Sequence, residues 1–324
     1  MKTALVVGCN GQDGTHLCQH LEALGYGVVG IDIATVRGNY GNMSSGDLVT
    51  DIERLESVTE LIRRLTPREI YYLAAYHHSS EALPDDPADL VGRSFAINTL
   101  AVNNFLHAIM GQSRESRLFY AASSHVFGQP ETPVQDERTP LNPTNVYGIS
   151  KTAAIHLCRY FRREHGVYVS CGILYNHESH LRPPQFLSRK VVQAAARIRQ
   201  GIGGKLHLGN LDAVVDWGFA PDYATAMWHM LQLPEGDDFV VATGNLHTVR
   251  DFAQTAFQIV GLNWEDHVVL DASVVTRKAM PVPLCGDSSK LRSMTGWRPQ
   301  TCFREMIAKM ITAEMEQCIT SNSF

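Results

Sequence analysis

An α/β fold built on a doubly wound parallel sheet, followed by a smaller C-terminal lobe, is what this sequence predicts. Short, fully apolar runs alternate with amphipathic stretches through the first half, the pattern of strands covered on both faces by helices. A glycine-rich turn joins the first run to the first amphipathic stretch. The alternation becomes irregular after residue 174. Strands are expected at 3–7, 27–31, 70–75, 118–122 and 167–174, with a helix over 13–24 closed by Gly25. Beyond Pro183-Pro184 and the glycines of 201–204, one more strand is expected at 239–242 and helices at 250–260 and 303–316. The division that follows is a sheet domain over 1–174 and a second lobe over 175–324, with a segment near 212–245 returning to the first. A cleft between lobes is the expected place for a ligand.

Composition narrows the function class. With 324 residues, 44% hydrophobic and 19% charged, the chain can bury a large core and is not disordered. A net charge of −5, with no basic run, argues against nucleic acid as a partner. No run reaches the ~18 apolar residues of a membrane span. The start of the chain lacks a secretory pattern, so a cytoplasmic protein is expected. Seven cysteines, odd in number and scattered, read as reduced thiols. No metal site is expected: His16 and His20 flank Cys18 on one helix face without a third ligand.

Residues 8–14 read GCNGQDG, between a strand and a helix. Gly8 suits the tight turn, Gly11 lets the backbone approach a pyrophosphate, and Gly14 lets helix and strand pack closely. The helix N-terminus would then hold the phosphates. Asp32 ends the second strand at the offset where a carboxylate meets the adenosine ribose, which favours NAD over NADP. Arg37 could still receive a 2′-phosphate, and either Asp51-Ile52 or Asp47-Leu48 could flank the adenine. A second motif opens the helix after residue 146. Tyr147 and Lys151, spaced i,i+4, share a helix face, where an ammonium would lower the phenol's pKa from ~10 towards neutrality. Such a tyrosine can take a hydroxyl proton as a hydride leaves the same carbon. Ser123-Ser124 ends a preceding strand and completes the set.

This combination resembles the extended short-chain dehydrogenase/reductase superfamily. The resemblance implies a Rossmann sheet, a nicotinamide cofactor and a nucleotide-sugar substrate. Further segments are similar to the GDP-mannose 4,6-dehydratases: GQDG at 11–14, FY at 119–120, LYNHES at 174–179, RK at 189–190, LGNLDA at 208–213, DWGFAPDYATAMW at 216–228, VATG at 241–244, HTVRDF at 247–252, GDSSK at 286–290 and GWRPQTCF at 296–303. In that family the tyrosine and cofactor oxidise the sugar at C4. A glutamate then removes the C5 proton, the C6 hydroxyl leaves as water, and hydride returns to C6. The resemblance implies cofactor contacts from Gly8, Asn10, Gly11, Gln12, Asp13, Gly14, Asp32, Asp51, Ile52, Leu73, Ala74 and Ala75, besides Tyr147 and Lys151. It implies substrate contacts from His78, Ser124, Asn176 and Lys190, with Arg277 on the pyrophosphate. Trp217 is expected near the cleft because its segment is.

The departures from the family pattern are chemical. The T-S-E triplet reads Ser123-Ser124-His125, which keeps the hydroxyl and replaces the carboxylate base by imidazole. Val215 stands in place of an arginine, and Met280 falls where a carboxylate is expected. Asp32-Ile-Ala-Thr replaces an arginine-rich stretch, which agrees with NAD and favours a homodimer over a tetramer. The expected activity is a 4,6-dehydratase with Ser123, His125, Tyr147 and Lys151 as catalytic residues. A C4 reductase or epimerase, and a non-catalytic nucleotide-sugar or NAD binder, are the competing readings.

Overall fold

The computed structural model describes residues 2–33, 35–37, 50–77, 87–271, 273–274 and 282–321. Its first half runs β1 (Thr3–Val7), α1 (Gln12–Ala23), β2 (Gly27–Asp32), β3 (Thr35–Arg37), α2 (Leu55–Leu65), β4 (Glu69–Tyr72), α3 (Pro87–Phe95), α4 (Ala101–Gln112), β5 (Arg117–Ser123), α5 (Val146–His165) and β6 (Val169–Leu174). There follow β7 (Asn176–Glu178), α6 (Leu187–Arg199), β8 (Leu206–Leu208), β9 (Val214–Phe219), α7 (Ala220–Leu231), β10 (Asp238–Val241), β11 (Leu246–Thr248), α8 (Val249–Ile259), β12 (Val268–Leu270), α9 (Ser289–Thr295) and α10 (Phe303–Ser321).

The central sheet has the order β10-β6-β5-β4-β1-β2-β3. All its neighbours are parallel except β3, which runs antiparallel to β2 at the edge. The predicted doubly wound sheet is therefore present, with one antiparallel edge strand that three residues gave no pattern to reveal. Alternate residues serve opposite faces. Leu5 and Val7 join α2, α4 and α5 through Leu61, Phe105 and Ile155, whereas Ala4 and Val6 join α1 and α7 through Leu17 and Met227. Each buried Leu, Val, Ile, Phe or Met among them contributes roughly 1.5–3 kcal/mol. After β1 the chain moves outward to β2 and β3, then returns to the other side of β1 for β4, β5, β6 and β10. The order reverses between β1 and β4, so a crevice opens at their carboxyl ends.

The second lobe is a separate apolar cluster around α6, α8 and α10, including Val192, Phe252 and Ile307. A three-stranded sheet, β11-β9-β7, bridges towards the first half, since β7 follows β6 after one residue. The chain then comes back: α7 packs with α1 and β10 pairs with β6. Trp217 corrects an expectation. Its ring lies inside the second lobe, 5.1 Å from Phe252 and 6.0 Å from Phe303, and is only 4% exposed. On β9 its position faces that core rather than the cleft, because burying an indole there outweighs leaving it at a wet surface. Among the described residues no helix is long and apolar enough to cross a membrane.

Candidate active site

The glycine loop lies at the reversal point. Gly8, at φ +90°, turns the chain off β1, and a Cβ there would stand 2.8 Å from Ala74 N. Leu73-Ala74-Ala75 thus form the opposite wall, directly after β4. At Gly14 a Cβ would stand 2.2 Å from Gly8 O, so α1 starts in contact with the turn itself. Gly11 differs: its φ is −65° and a Cβ would meet only Gly8 O, at 3.5 Å. It is the N-cap of α1 and offers no side-chain cap. An anion fits here, with backbone amides and the positive end of the helix facing it. Asp32 closes one side. Its carboxylate accepts the backbone N–H groups of Asn10 and Ile33, both at 2.8 Å. Asp51 and Ile52 precede α2, and the Ile52 carbonyl accepts from Asn104. These features fit the adenosine and pyrophosphate of a dinucleotide.

Not every predicted loop residue spends its side chain there. Gln12 Nε2 donates to His177 O at 3.0 Å, and Ser179 Oγ donates to Gln12 Oε1 at 2.9 Å. Both Asp13 carboxylate oxygens lie 2.9 Å from His177 Nε2, while His177 Nδ1 meets Tyr175 O at 2.6 Å. Gln12 and Asp13 therefore bind the loop to β7, and only their backbone remains for a phosphate. Burial alone would raise the Asp13 carboxyl. The His177 charge and hydrogen bond, helped by Gln12, hold it instead at about 2. Burial lowers His177, but Asp13 more than offsets this and its pKa rises.

At the carboxyl ends of β5 and β6 stand the serine, tyrosine and lysine. Asn145 caps α5 by accepting the Gly148 N–H at 2.8 Å. Only glycine fits at 148, because a Cβ would lie 2.5 Å from His125 O. That contact seats the first turn of α5 on the segment after β5 and sets Tyr147 near Ser123. Lys151 is 1% exposed and donates to Ala121 O at 2.8 Å, beneath the rings of Tyr120 at 4.9 Å and Tyr147 at 5.6 Å. The expected downward pull on the phenol is not found. Burial pushes Tyr147 up to about 12, against the opposing Arg182 charge and the Ser123 bond, and burial lowers Lys151 to about 7. Desolvation disfavours both charged forms and is the largest cause at each.

The likeness to known proteins runs over nearly the whole chain. The family model described as GDP-mannose 4,6 dehydratase matches residues 5–310. The chain belongs to that family. GDP-mannose 4,6 dehydratase 1 of Arabidopsis thaliana is 38% identical, over 97% of this chain and 90% of that protein. The GDP-mannose 4,6 dehydratase of Cricetulus griseus is 32% identical, over 97% of this chain and 92% of that one. Among solved structures, RMD from Pseudomonas aeruginosa complexed with NADPH superposes with a TM-score of 0.82 at 22% identity, covering 98% of this chain and 100% of that one. The last likeness shows the shared fold.

Within this member of the dehydratase family, the tyrosine is ringed by groups from distant segments. The His77 ring stands edge-on to the Tyr147 ring at 4.5 Å, and the His125 ring stands edge-on to the same tyrosine at 5.8 Å. Phe186 stacks on His77, and Arg182 stacks over Phe186 at 3.8 Å while pairing with the buried Glu178 at 3.2 Å. Glu178 also accepts from Ser188 Oγ at 2.6 Å, so this carboxylate is a structural tie. Lys190, one turn into α6, and Asn176, at the start of β7, flank the same region half-buried, while Ser124 is buried. His78 and Arg277 lie outside the described residues, as do residues 47–48 and the Arg37 side chain.

Asn98, Arg182 and Phe186 were not foreseen. Asn98 is fully buried in a single π-helical turn, 96–100, between α3 and α4. Its amide accepts from Tyr76 N and donates to Tyr76 O and Ser150 Oγ, tying the β4 loop to α5. Carbonyls of that turn accept the Tyr72 and Tyr120 hydroxyls, at 2.6 and 2.9 Å. Asn98 stands in an ordinary helical pattern, where nothing marks the wider turn.

Proposed function

We propose that this chain is an NAD(P)-dependent nucleotide-sugar 4,6-dehydratase acting on GDP-mannose or a close analogue. One observation carries the reading. In a chain related to these dehydratases over nearly its whole length, Ser123, Tyr147 and Lys151 converge beside a loop fitted to a dinucleotide. A nicotinamide bound there would supply a hydride acceptor and, when oxidised, a positive charge in a water-poor pocket. Such a charge favours phenolate, so Tyr147 can take the C4 hydroxyl proton although burial holds its pKa high in the protein alone. Ser123, at the end of β5 near the phenol, polarises the C4 oxygen. Lys151 holds the tyrosine in place from below. Asp32 supports NAD as the cofactor. Asn176 and Lys190 are the proposed contacts to the sugar nucleotide, together with His78, Ser124 and Arg277.

The setting proposed with this reading is a cytoplasmic homodimer. Cys9, Cys18, Cys158, Cys171 and Cys285 are all buried free thiols, which suits a reducing compartment, and light scattering tests the assembly. His125 in place of the family's glutamate supports a second reading, a C4 reductase or epimerase. Mass spectrometry of GDP-mannose and other nucleotide sugars incubated with NAD separates the two. Loss of one water without net change in NAD supports the dehydratase. An unchanged mass supports the epimerase, and stoichiometric consumption of reduced cofactor on a keto sugar supports the reductase.

A further inference from the structure

His125 is held in one proton arrangement by its neighbour. Asn145 Oδ1 accepts the Gly148 N–H, and a backbone N–H can only donate, so this bond orients the amide. The NH2 group then lies 3.3 Å from His125 Nδ1. Nδ1 therefore accepts, and the proton of the neutral ring sits on Nε2. In this state Nε2 is a donor, and the lone pair on Nδ1 is already used. Protonating both nitrogens would set Nδ1–H against the amide NH2. The residue that replaces the glutamate is thus arranged to donate a hydrogen bond, not to take a proton from carbon.

A second imidazole stands beside it. His77 lies five residues beyond the end of β4, edge-on to Tyr147 at 4.5 Å and 6.3 Å from His125. Phe186 stacks against its face at 5.7 Å with an interplanar angle of 12°. It is exposed, whereas His125 is half-buried, so it can exchange protons with solvent.

We infer that His77 is a further catalytic residue, the proton carrier of the C5–C6 elimination, and that His125, held as its Nε2–H tautomer by Asn145, is a neutral hydrogen-bond donor to the oxygen where charge develops. This rests on the dehydratase reading. On the C4-keto sugar the C5–H bond breaks and its proton goes to His77. The electron pair forms the C5=C6 bond as the C6–O bond breaks. His77 then gives the same proton to the departing hydroxide, which leaves as water. Nothing is oxidised or reduced in this step, and both imidazoles end neutral. Neutral imidazole is a competent electrophile when its N–H is positioned. Asn145 is a positioning residue.

The test compares wild type and His77→Gln on GDP-mannose with NAD. Wild type is expected to release product lighter by one water. His77→Gln, altered at an exposed position, is expected to lose water release by about 100-fold or more. It should still move hydride from C4, seen as a build-up of reduced-nicotinamide absorbance. Dehydration at the wild-type rate by His77→Gln overturns the role of His77. Absence of water loss from wild type overturns the dehydratase reading, and the assignment of His77 with it. The tautomer is read separately, from imidazole nitrogen chemical shifts by NMR. Nδ1 is expected to be pyridine-like and Nε2 pyrrole-like. Asn145→Asp keeps the oxygen that caps α5 and removes the donor, so it should move the proton to Nδ1. The opposite assignment in wild type, or no change in Asn145→Asp, overturns the lock.

Discussion

The turn from Gly8 to Gly14 and the ring of groups around Tyr147 lie at the same edge of the sheet, but they tolerate change differently. In the turn, backbone touches backbone: the carbonyl of Gly8 occupies the space a methyl at Gly14 would need. Around Tyr147, side chains from β4's loop, the segment after β5, α5 and the loop before α6 meet through ring faces and edges. Rings can shift where backbone cannot. The first region is closed to substitution at Gly8 and Gly14, while the second is built of rings and side chains that can shift to admit a change.

Variants can sharpen or break that contrast. Tyr147→Phe removes one hydroxyl from the tolerant region. Turnover should fall by about 1000-fold while NAD affinity and urea stability stay near wild type; unchanged turnover would remove the tyrosine from the mechanism. Gly14→Ala strikes the closed region and should cost about 3 kcal/mol in urea unfolding. Its control is Gly11→Ala, whose backbone angles suit alanine and whose nearest contact is 3.5 Å away. That variant should unfold like wild type but bind NAD more weakly by calorimetry. Equal NAD binding would place the phosphates elsewhere.

The Asp13–His177 pair joins the first region to β7. Asp13→Asn should cost about 2–3 kcal/mol, below the range for a fully buried pair because the carboxylate keeps 24% exposure. The difference from wild type should depend on pH. Asp13 is held at about 2, below its ordinary 3.8, so its contribution is full above about pH 4 and lost as pH falls through 2. His177 is raised above 6.5, so its contribution is full below that pH and lost as pH rises through its folded value. The pair should stabilise most between about pH 4 and pH 6.5, and a flat difference across denaturation curves would deny the coupling. A second pH dependence concerns Lys151. Its pKa of about 7 in the fold lies below its ordinary 10.5, so between those values only the unfolded chain keeps the proton. Stability of the protein alone should rise with pH across that window, and Lys151→Met should remove this slope in thermal melts.

Much of this was legible in the sequence because it is local. GCNGQDG needs only its own backbone to turn and a helix to follow, and Tyr147 and Lys151 share a face by helical period alone. The second sheet was not legible, because β7 and β11 have three residues each and no period to read. Nor was Trp217: an indole in a recognisable segment does not declare which side of its strand it occupies. The mutual effect of Tyr147 and Lys151 was misjudged for a related reason. Spacing brings the two groups together, but only the packing above them sets how strongly burial opposes charge.

The sequence by itself determined the parallel sheet, the dinucleotide loop, the Ser-Tyr-Lys set and membership of the dehydratase family. Each rests on a residue pattern within a few turns of chain or on segments matched one by one. Tertiary structure alone decided that Asp13 meets His177, 164 residues away, that Asn98 ties Tyr76 to Ser150, and that His77 and His125 flank one tyrosine. These contacts join segments far apart in the chain. Nothing in the local pattern of either partner encodes the other; the folded sheet brings them within reach.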